Sequence, residues 1–268
     1  MPELDCEISR DGLLGGRVTI LQPAGGYRTA IDPVLLAAAV PAQPGETVLD
    51  AGSGTGAAAL ALAARLEGVG VVGLDSDPGF IGLARNSAEE SGLSQSIRFV
   101  EGDLLSPPPD LVAGSFDHVM ANPPYLPASR AGPPSRHNLS KVEGSARLTD
   151  WVAAASDALR LKGSLTFIHR ADRLDELLAL VRDVAGEIVV APLWSHPGKV
   201  ARRVLVRARK GVSTPLRLVP GLTLYDTDGG YTAAAESILR TGAPFTFDPD
   251  CSHPDACGDS VEDGWTAS

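Results

Sequence analysis

The chain has 268 residues, of which 44% are hydrophobic and 21% charged, and its formal net charge is −10. That balance suits a globular protein with a full core and excludes one that coats nucleic acid through bulk electrostatics. No apolar run is long enough to cross a bilayer, the opening "MPELDCEISRDG" lacks the basic-then-apolar order of a signal peptide, and Cys6, Cys251 and Cys257 indicate no disulfide framework; a cytoplasmic protein without a membrane partner is expected.

Residues 1–46 read as an N-terminal extension, with a β piece at Val18–Leu21 and a helix opening at Asp32 as cap and Pro33 in the first turn. Residues 47–240 alternate strands and helices. Seven strands are predicted at 47–51, 71–75, 97–101, 116–121, 164–169, 187–193 and 203–209, several continuously apolar, as in strands covered on both faces. "AAALALAARL" follows the first as a helix, and "DPGFIGLARNSAEESG" follows the second, with Gly92 as its stop. "RLTDWVAAASDALRLKG" sets Leu148, Trp151, Val152, Ala155 and Leu159 on one stripe; "DRLDELLALVRDVAG" does so with Leu174, Leu177, Leu178, Val181 and Ala185. The alternation implies an α/β fold built on a mainly parallel sheet. Only "WSHPGKVAR" separates the last two strands, which predicts an antiparallel hairpin. Pro127–Lys141, rich in Pro, Ser and Gly, reads as a mobile loop, and residues 241–268, acidic and without periodicity, as a disordered tail.

The chemistry-bearing residues cluster at strand ends. "VLDAGSGTG" places Gly52, Gly54 and Gly56 between a strand and a helix, where glycines allow a ligand close to the backbone at a helix N-terminus. Gly52-x-Gly54-x-x-Ala57 also passes a loose dinucleotide pattern. Asp50 argues the other way: a carboxylate there is a poor neighbour for a pyrophosphate and a good partner for an amino group. Asp75, ending the next strand, can accept from two ribose hydroxyls, and Asp103, after the third, can hold an adenine amino group. With Asn122 they form four polar residues, each following a strand, and open α/β sheets bind ligands at that rim. The implied ligand carries an adenosine and a cationic amino-acid end, with no phosphate.

Asn122-Pro123-Pro124-Tyr125 follows the apolar strand at 116–121. Prolines end a strand ladder and hold the backbone stiff, leaving a ledge with an amide, a free carbonyl and an aromatic ring. Together these features resemble a class I S-adenosylmethionine (SAM)-dependent methyltransferase: "VLDAGSGTG" is similar to its cofactor loop, and "NPPY" to the motif of enzymes that methylate nitrogens conjugated to a planar system. "GYRTAIDPVLLAAAVP" and "LYDTDGGYTAAAESIL" resemble the bacterial valine-tRNA adenine-N6 methyltransferase family, which acts on the adenine beside the anticodon; the similarity covers roughly residues 12–240. The resemblance implies a doubly wound, Rossmann-like seven-stranded sheet with the last strand antiparallel, SAM as cofactor and an RNA substrate. It implies a cofactor set of Thr29, Asp32, Asp50, Gly52, Ser53, Gly54, Thr55 and Gly56, continued by Asp75, Ser76, Asp103, Leu104 and Asn122.

In that setting, the Asn122 side-chain oxygen and the Pro123 carbonyl bind the two N–H groups of an amino nitrogen, while Tyr125 stacks on the base. Asn122, Pro123, Pro124 and Tyr125 are thus the catalytic candidates, and no metal is expected. Arg28, Tyr125, Lys199, Arg202 and Arg203 are the substrate-binding candidates; the last three lie in the acid-free strip Ser195–Lys210, a local contact for tRNA on a monomer. The ledge does not itself read adenine. A release-factor glutamine methyltransferase is the alternative, made less favourable by an N-terminal extension that reads as β plus one helix. An rRNA guanine-N2 or adenine-N6 methyltransferase also fits, and a non-catalytic SAM- or RNA-binding module is the alternative of another class. Cys251-x-His253-x-x-x-Cys257 is one ligand short of a closed zinc site. His137, His169 and His196 read as core or surface residues, and Trp151 as core.

Overall fold

The computed structural model describes residues 7–25, 31–125 and 146–247. A hairpin, β1 (Ile8–Leu13) and β2 (Val18–Pro23), precedes helix α1 (Asp32–Ala39). The sheet then builds from β3 (Thr47–Ala51), α2 (Ala57–Arg65), β4 (Gly70–Asp75), α3 (Pro78–Glu90), β5 (Ile97–Glu101) and β6 (Phe116–Ala121). It continues through α4 (Leu148–Ala158), β7 (Leu159–Arg170), α5 (Leu174–Val184), β8 (Ala185–Trp194) and β9 (Arg203–Lys210). The two-residue strands β10 (Arg217–Leu218) and β11 (Leu222–Thr223) and helix α6 (Ala233–Glu236) complete the order.

The sheet order is β10-β8-β9-β7-β6-β3-β4-β5, with β11 also on β8. The pairs of β3 with β4 and β6, of β4 with β5 and of β6 with β7 are parallel, and β9 runs antiparallel between β7 and β8. All seven strands expected from the apolar runs are present, with the last one antiparallel. The chain steps outward from β3 to β5, then returns to place β6 on the other side of β3. That reversal opens a crevice beyond the carboxyl ends of β3 and β6.

Successive strand residues face opposite layers. Val119 and Ala121 join the core with α4 and α5, whereas Met120 joins the core with α1, α2 and α3. Helix α3 illustrates how local chemistry sets an element's ends. Asp77 caps it, accepting from Gly79 N at 2.8 Å and Phe80 N at 3.2 Å, and Pro78 occupies the first turn. Gly92, at φ +69°, ends it in a Schellman turn: Leu93 N donates to Ala88 O at 2.8 Å and Gly92 N to Glu89 O at 3.0 Å.

Four readings need correction. Asp32 is not the cap: Ile31 holds that position, and the Asp32 side chain turns to the rim instead. Leu159 and Ala185, assigned above to helical stripes, begin β7 and β8, because each helix passes directly into a strand without a loop. Strand β1 escaped notice because "ISRDGL" has little apolar content; it forms by pairing along β2, which docks on α3 as Leu21 N donates to Ser87 Oγ at 2.9 Å and Thr19 N to Ser91 Oγ at 3.0 Å. Disorder expected from residue 241 does not hold for the described part of that segment. Phe245 and Phe247 are buried, Phe245 N donates to Ala38 O at 2.8 Å, and the Arg207 guanidinium lies 4.3 Å from the centre of the Phe247 ring. Two aromatic rings outweigh the acidic composition around them. The expected loop at Pro127–Lys141 and the cysteines Cys6, Cys251 and Cys257 lie outside the described residues.

Candidate active site

Because Ala51 pairs with Ala121, the glycine loop after β3 and the ledge after β6 start side by side. The loop is held by backbone bonds: Ser53 N donates to Leu74 O at 2.9 Å, and Gly54 N to Asp75 Oδ2 at 2.7 Å. Gly52 and Gly54 both have positive φ, +70° and +54°, which favours glycine. Their surroundings differ. A Cβ on Gly52 would sit 2.2 Å from the Trp151 ring, so this glycine exists for packing. A Cβ on Gly54 would meet nothing within 4 Å. The backbone at Gly54 is therefore bare toward open space, as a ligand cradle requires.

Asp50 is buried at 2% exposure beneath the loop, where its Oδ2 accepts from Ala59 N at 3.1 Å. Burial pushes its pKa up to about 7; the bond from Ala59 N opposes the rise, and nearby Asp75 adds to it. The folded pKa exceeds the ordinary 3.8, so the stability contributed by the protonated form is complete below about pH 3.8 and is lost as pH rises toward 7. Asp50→Asn keeps the acceptor for Ala59 N and removes the charge. It is expected to stabilise the fold at pH 8 by roughly 1–3 kcal/mol, and by less at pH 5, at about 1.4 kcal/mol per pKa unit. Urea unfolding at the two pH values checks this, and an equal effect at both contradicts it.

Asp75 also has a raised pKa from burial, opposed by backbone N–H groups that include Asp77 N, 3.0 Å from Oδ1, and Gly54 N. Ser76 N also donates to it, and the carboxylate keeps acceptor capacity for a further donor. Asp103 is exposed two residues beyond β5, and its Oδ1 accepts from Leu105 N at 2.9 Å, closing a local turn beside half-buried Leu104. Ser53 is buried, Thr55 half-buried and Ser76 exposed around the same loop ends.

On the ledge Pro123 is buried, while Asn122 and Tyr125 are half-buried. The Tyr125 hydroxyl lies 2.6 Å from Asn122 Oδ1 and 2.7 Å from Asp32 Oδ2. Arg203 Nε donates to the same Asp32 oxygen at 3.0 Å, and the Arg203 guanidinium sits 4.3 Å from the Tyr125 ring centre. Burial opposes the charge of Arg203, but Asp32 and Tyr125 more than offset it and raise its pKa. Arg203 thus stands in the wall of the site, whereas Lys199 and Arg202 are exposed on the β8–β9 loop at the same rim. Arg28 and Thr29 lie outside the described residues.

Sequence reasoning set His169 aside and missed the Asp32–Tyr125–Arg203 contacts. His169 is fully buried at the end of β7, its ring 5.7 Å from that of Tyr125, and neither ring nitrogen has a partner among the described residues. Burial, then Arg173, lowers its pKa to about 4, so it is neutral near pH 7. Among the described residues no cluster of His, Cys, Asp or Glu could hold a metal ion, and no helix is long and apolar enough to cross a membrane.

A family profile described as a methyltransferase domain matches residues 48–132, the stretch from β3 past the ledge. A tRNA1(Val) (adenine(37)-N6)-methyltransferase from Porphyromonas gingivalis is 32% identical over 167 residues, 60% of this chain and 66% of that protein, just under two thirds of its length. Its namesake from Bacteroides thetaiotaomicron is 30% identical over 195 residues, 70% of this chain and 79% of that protein. A release factor glutamine methyltransferase from Chlorobaculum tepidum is 44% identical over 82 residues, but these are only 30% of this chain and 28% of that protein. Among solved structures, a predicted O-methyltransferase from Agrobacterium tumefaciens superposes with a TM-score of 0.68 at 26% identity, over 80% of this chain and 98% of that one. The chain belongs to the tRNA1(Val) (adenine(37)-N6)-methyltransferase family, whose fold here is that of the class I methyltransferases.

Proposed function

We propose that the protein transfers a methyl group from SAM to the N6 amino group of an adenine in tRNA, with valine tRNA beside the anticodon as the target. The observation that carries this reading is that the Asn122–Tyr125 ledge and the Gly52–Gly56 loop leave neighbouring strand ends, at the Ala51–Ala121 pair. The bare backbone at Gly54 and the carboxylates of Asp50 and Asp75 suit a cofactor with a ribose and a cationic amino group. The relatives from Porphyromonas gingivalis and Bacteroides thetaiotaomicron, both tRNA1(Val) (adenine(37)-N6)-methyltransferases, support adenine and tRNA.

SAM supplies a methyl group already activated on a sulfonium. Asp75 receives the ribose hydroxyls, Asp50 faces the amino group, and Asp103 with Leu104 borders the adenine end. Thr55, Ser53 and Ser76 frame the loop, and Thr29 belongs to the same set. An adenine amino nitrogen is a poor nucleophile because its lone pair is delocalised into the ring. Asn122 Oδ1 and the Pro123 carbonyl accept its two N–H groups and draw the nitrogen toward tetrahedral geometry, so the lone pair points at the methyl. Pro124 has no N–H and fixes the ledge's direction. Asn122 is neutral and acts as acceptor and orienter, not as a general base; the proton that the nitrogen sheds once methylated passes to solvent, and the cofactor leaves as the neutral thioether. Tyr125 stacks on a base taken out of a single-stranded loop, where unstacking is easiest.

The competing reading is transfer to a release-factor glutamine, favoured by the 44% identity over 82 residues and by a ledge that suits any planar amide or amine. Incubation with methyl-labelled SAM and separated tRNA and protein fractions decides between them. Label in tRNA supports the proposal, and label only in protein overturns it.

The RNA contacts must be few, given the net charge of −10. Lys199 and Arg202 are exposed at the rim and can hold phosphates, whereas Arg203 is engaged with Asp32. Lys199→Ala with Arg202→Ala is expected to raise KM for tRNA several-fold, to make binding less salt-dependent and to leave SAM affinity unchanged. Unchanged tRNA kinetics would mean that these side chains only solvate the loop.

A further inference from the structure

The Tyr125 hydroxyl presents a proton-counting problem. It has one proton, yet two acceptors lie close to it: Asp32 Oδ2 at 2.7 Å and the oxygen position of the Asn122 amide at 2.6 Å. Both cannot receive the same proton at full strength. Asp32 is the stronger acceptor, because a carboxylate forms hydrogen bonds roughly twice as strong as a neutral amide does. Its competitor for that carboxylate, Arg203, donates at 3.0 Å and keeps the charge balanced in a pocket where the Asp32 side chain is 16% exposed. The hydroxyl proton therefore belongs to Asp32. The phenol oxygen is then left against another oxygen at 2.6 Å with no proton between them. Turning the Asn122 amide by half a revolution resolves the conflict. The amide oxygen and nitrogen have nearly the same shape, so Nδ2 takes the place facing Tyr125 and donates to it, and Oδ1 faces away from Tyr125.

We propose that Asp32 is a positioning residue for methyl transfer: acting through the Tyr125 hydroxyl, it sets the Asn122 amide so that Oδ1 is the atom offered to the substrate nitrogen. The inference rests on the reading of Asn122 as the group that orients that nitrogen. Three elements meet to make the relay: the first turn of α1, the ledge after β6 and the first residue of β9, which supplies Arg203. It gives Asp32 a role other than helix cap, a position that Ile31 holds, and other than cofactor ligand, the role the resemblance implied. It also explains the contact of Arg203 with both Asp32 and the Tyr125 ring. Without the Asp32 charge, the Tyr125 proton passes to Asn122 Oδ1 and occupies the very acceptor that the substrate needs.

That last step predicts an unusual sign. Asp32→Asn, which keeps the shape, is expected to lower kcat by roughly 10–100-fold, the scale of a misplaced reacting group, with the Kd of SAM within twofold of the parent. Tyr125→Phe removes the hydroxyl but keeps the ring, and is expected to lower kcat less. The double variant is expected to recover to the level of Tyr125→Phe alone, because no proton remains to block Oδ1. Melting temperatures of all three establish that they are folded, and Asp32→Ser serves if Asp32→Asn is not. A double variant slower than both single ones overturns the relay, and so does an Asp32 variant that weakens SAM binding while kcat is kept. Asn122→Ala in parallel separates this inference from its foundation. If Asn122→Ala retains turnover, the reading of the ledge fails; if it is inactive while the Asp32 and Tyr125 losses multiply, only the relay fails.

Discussion

Asn122→Ala is expected to reduce methyl transfer by at least about a hundredfold, while SAM binds with nearly unchanged affinity. The magnitude follows from preorganised acceptors and donors at a reacting centre, where removing one costs about 3–4 kcal/mol. Asn122 is the first residue after β6, and its backbone is fixed by the Ala51–Ala121 pairing before it and the prolines after it. Truncation therefore deletes the side-chain acceptor and the contact with the Tyr125 hydroxyl, while the backbone of the ledge stays in place. The Pro123 carbonyl remains and can still bind one N–H, so the base can dock but its nitrogen stays nearly planar. Single-turnover kinetics with separately measured SAM affinity checks this. Near-normal turnover would remove the nitrogen-orienting role.

Glycine substitutions in the cofactor loop are expected to divide by mechanism. Gly56→Val puts a Cβ 2.6 Å from the buried Phe99 ring and 3.1 Å from Ala84 Cβ at φ +87°. Overpacking and left-handed strain each cost about 1–3 kcal/mol, so this variant is expected to unfold at much lower urea. Gly54→Val carries the strain of φ +54° but meets nothing within 4 Å. It is expected to fold with about 1–3 kcal/mol lost and to bind SAM at least a hundredfold more weakly, because its side chain fills the cradle. Calorimetry on both variants, paired with urea unfolding, distinguishes the outcomes. SAM affinity preserved in Gly54→Val would place the cofactor elsewhere.

The parts of the protein legible in its sequence share a physical cause. Strands β3, β4, β6 and the second half of β7 are largely covered on both faces, so each writes itself as an apolar run, and the glycine loop is legible because only glycine tolerates the backbone it needs. The rim residues could be listed because each lies at or just past a strand's carboxyl end, and parallel strands deliver those ends to one edge. Strand β1 was invisible because pairing with β2 defines it, not its own composition. The last described residues misled for the opposite reason: acidic neighbours masked Phe245 and Phe247, whose burial depends on a surface supplied by α1 and β9. The relay was beyond reach, since Asp32 and Arg203 are 171 positions apart and nothing in the pattern around either points to the other. Arg203, read with its strip as a tRNA contact, lies over the Tyr125 ring and pairs with Asp32, neither of which its strip announces.

Nucleoside mass spectrometry of tRNA from cells with and without the protein tests the central claim most directly. The account predicts N6-methyladenosine in valine tRNA of cells that contain the protein, its loss when the protein is absent and its return with the parent chain but not with Asn122→Ala. Unchanged N6-methyladenosine in tRNA, together with loss of methylglutamine from a release factor, would contradict it.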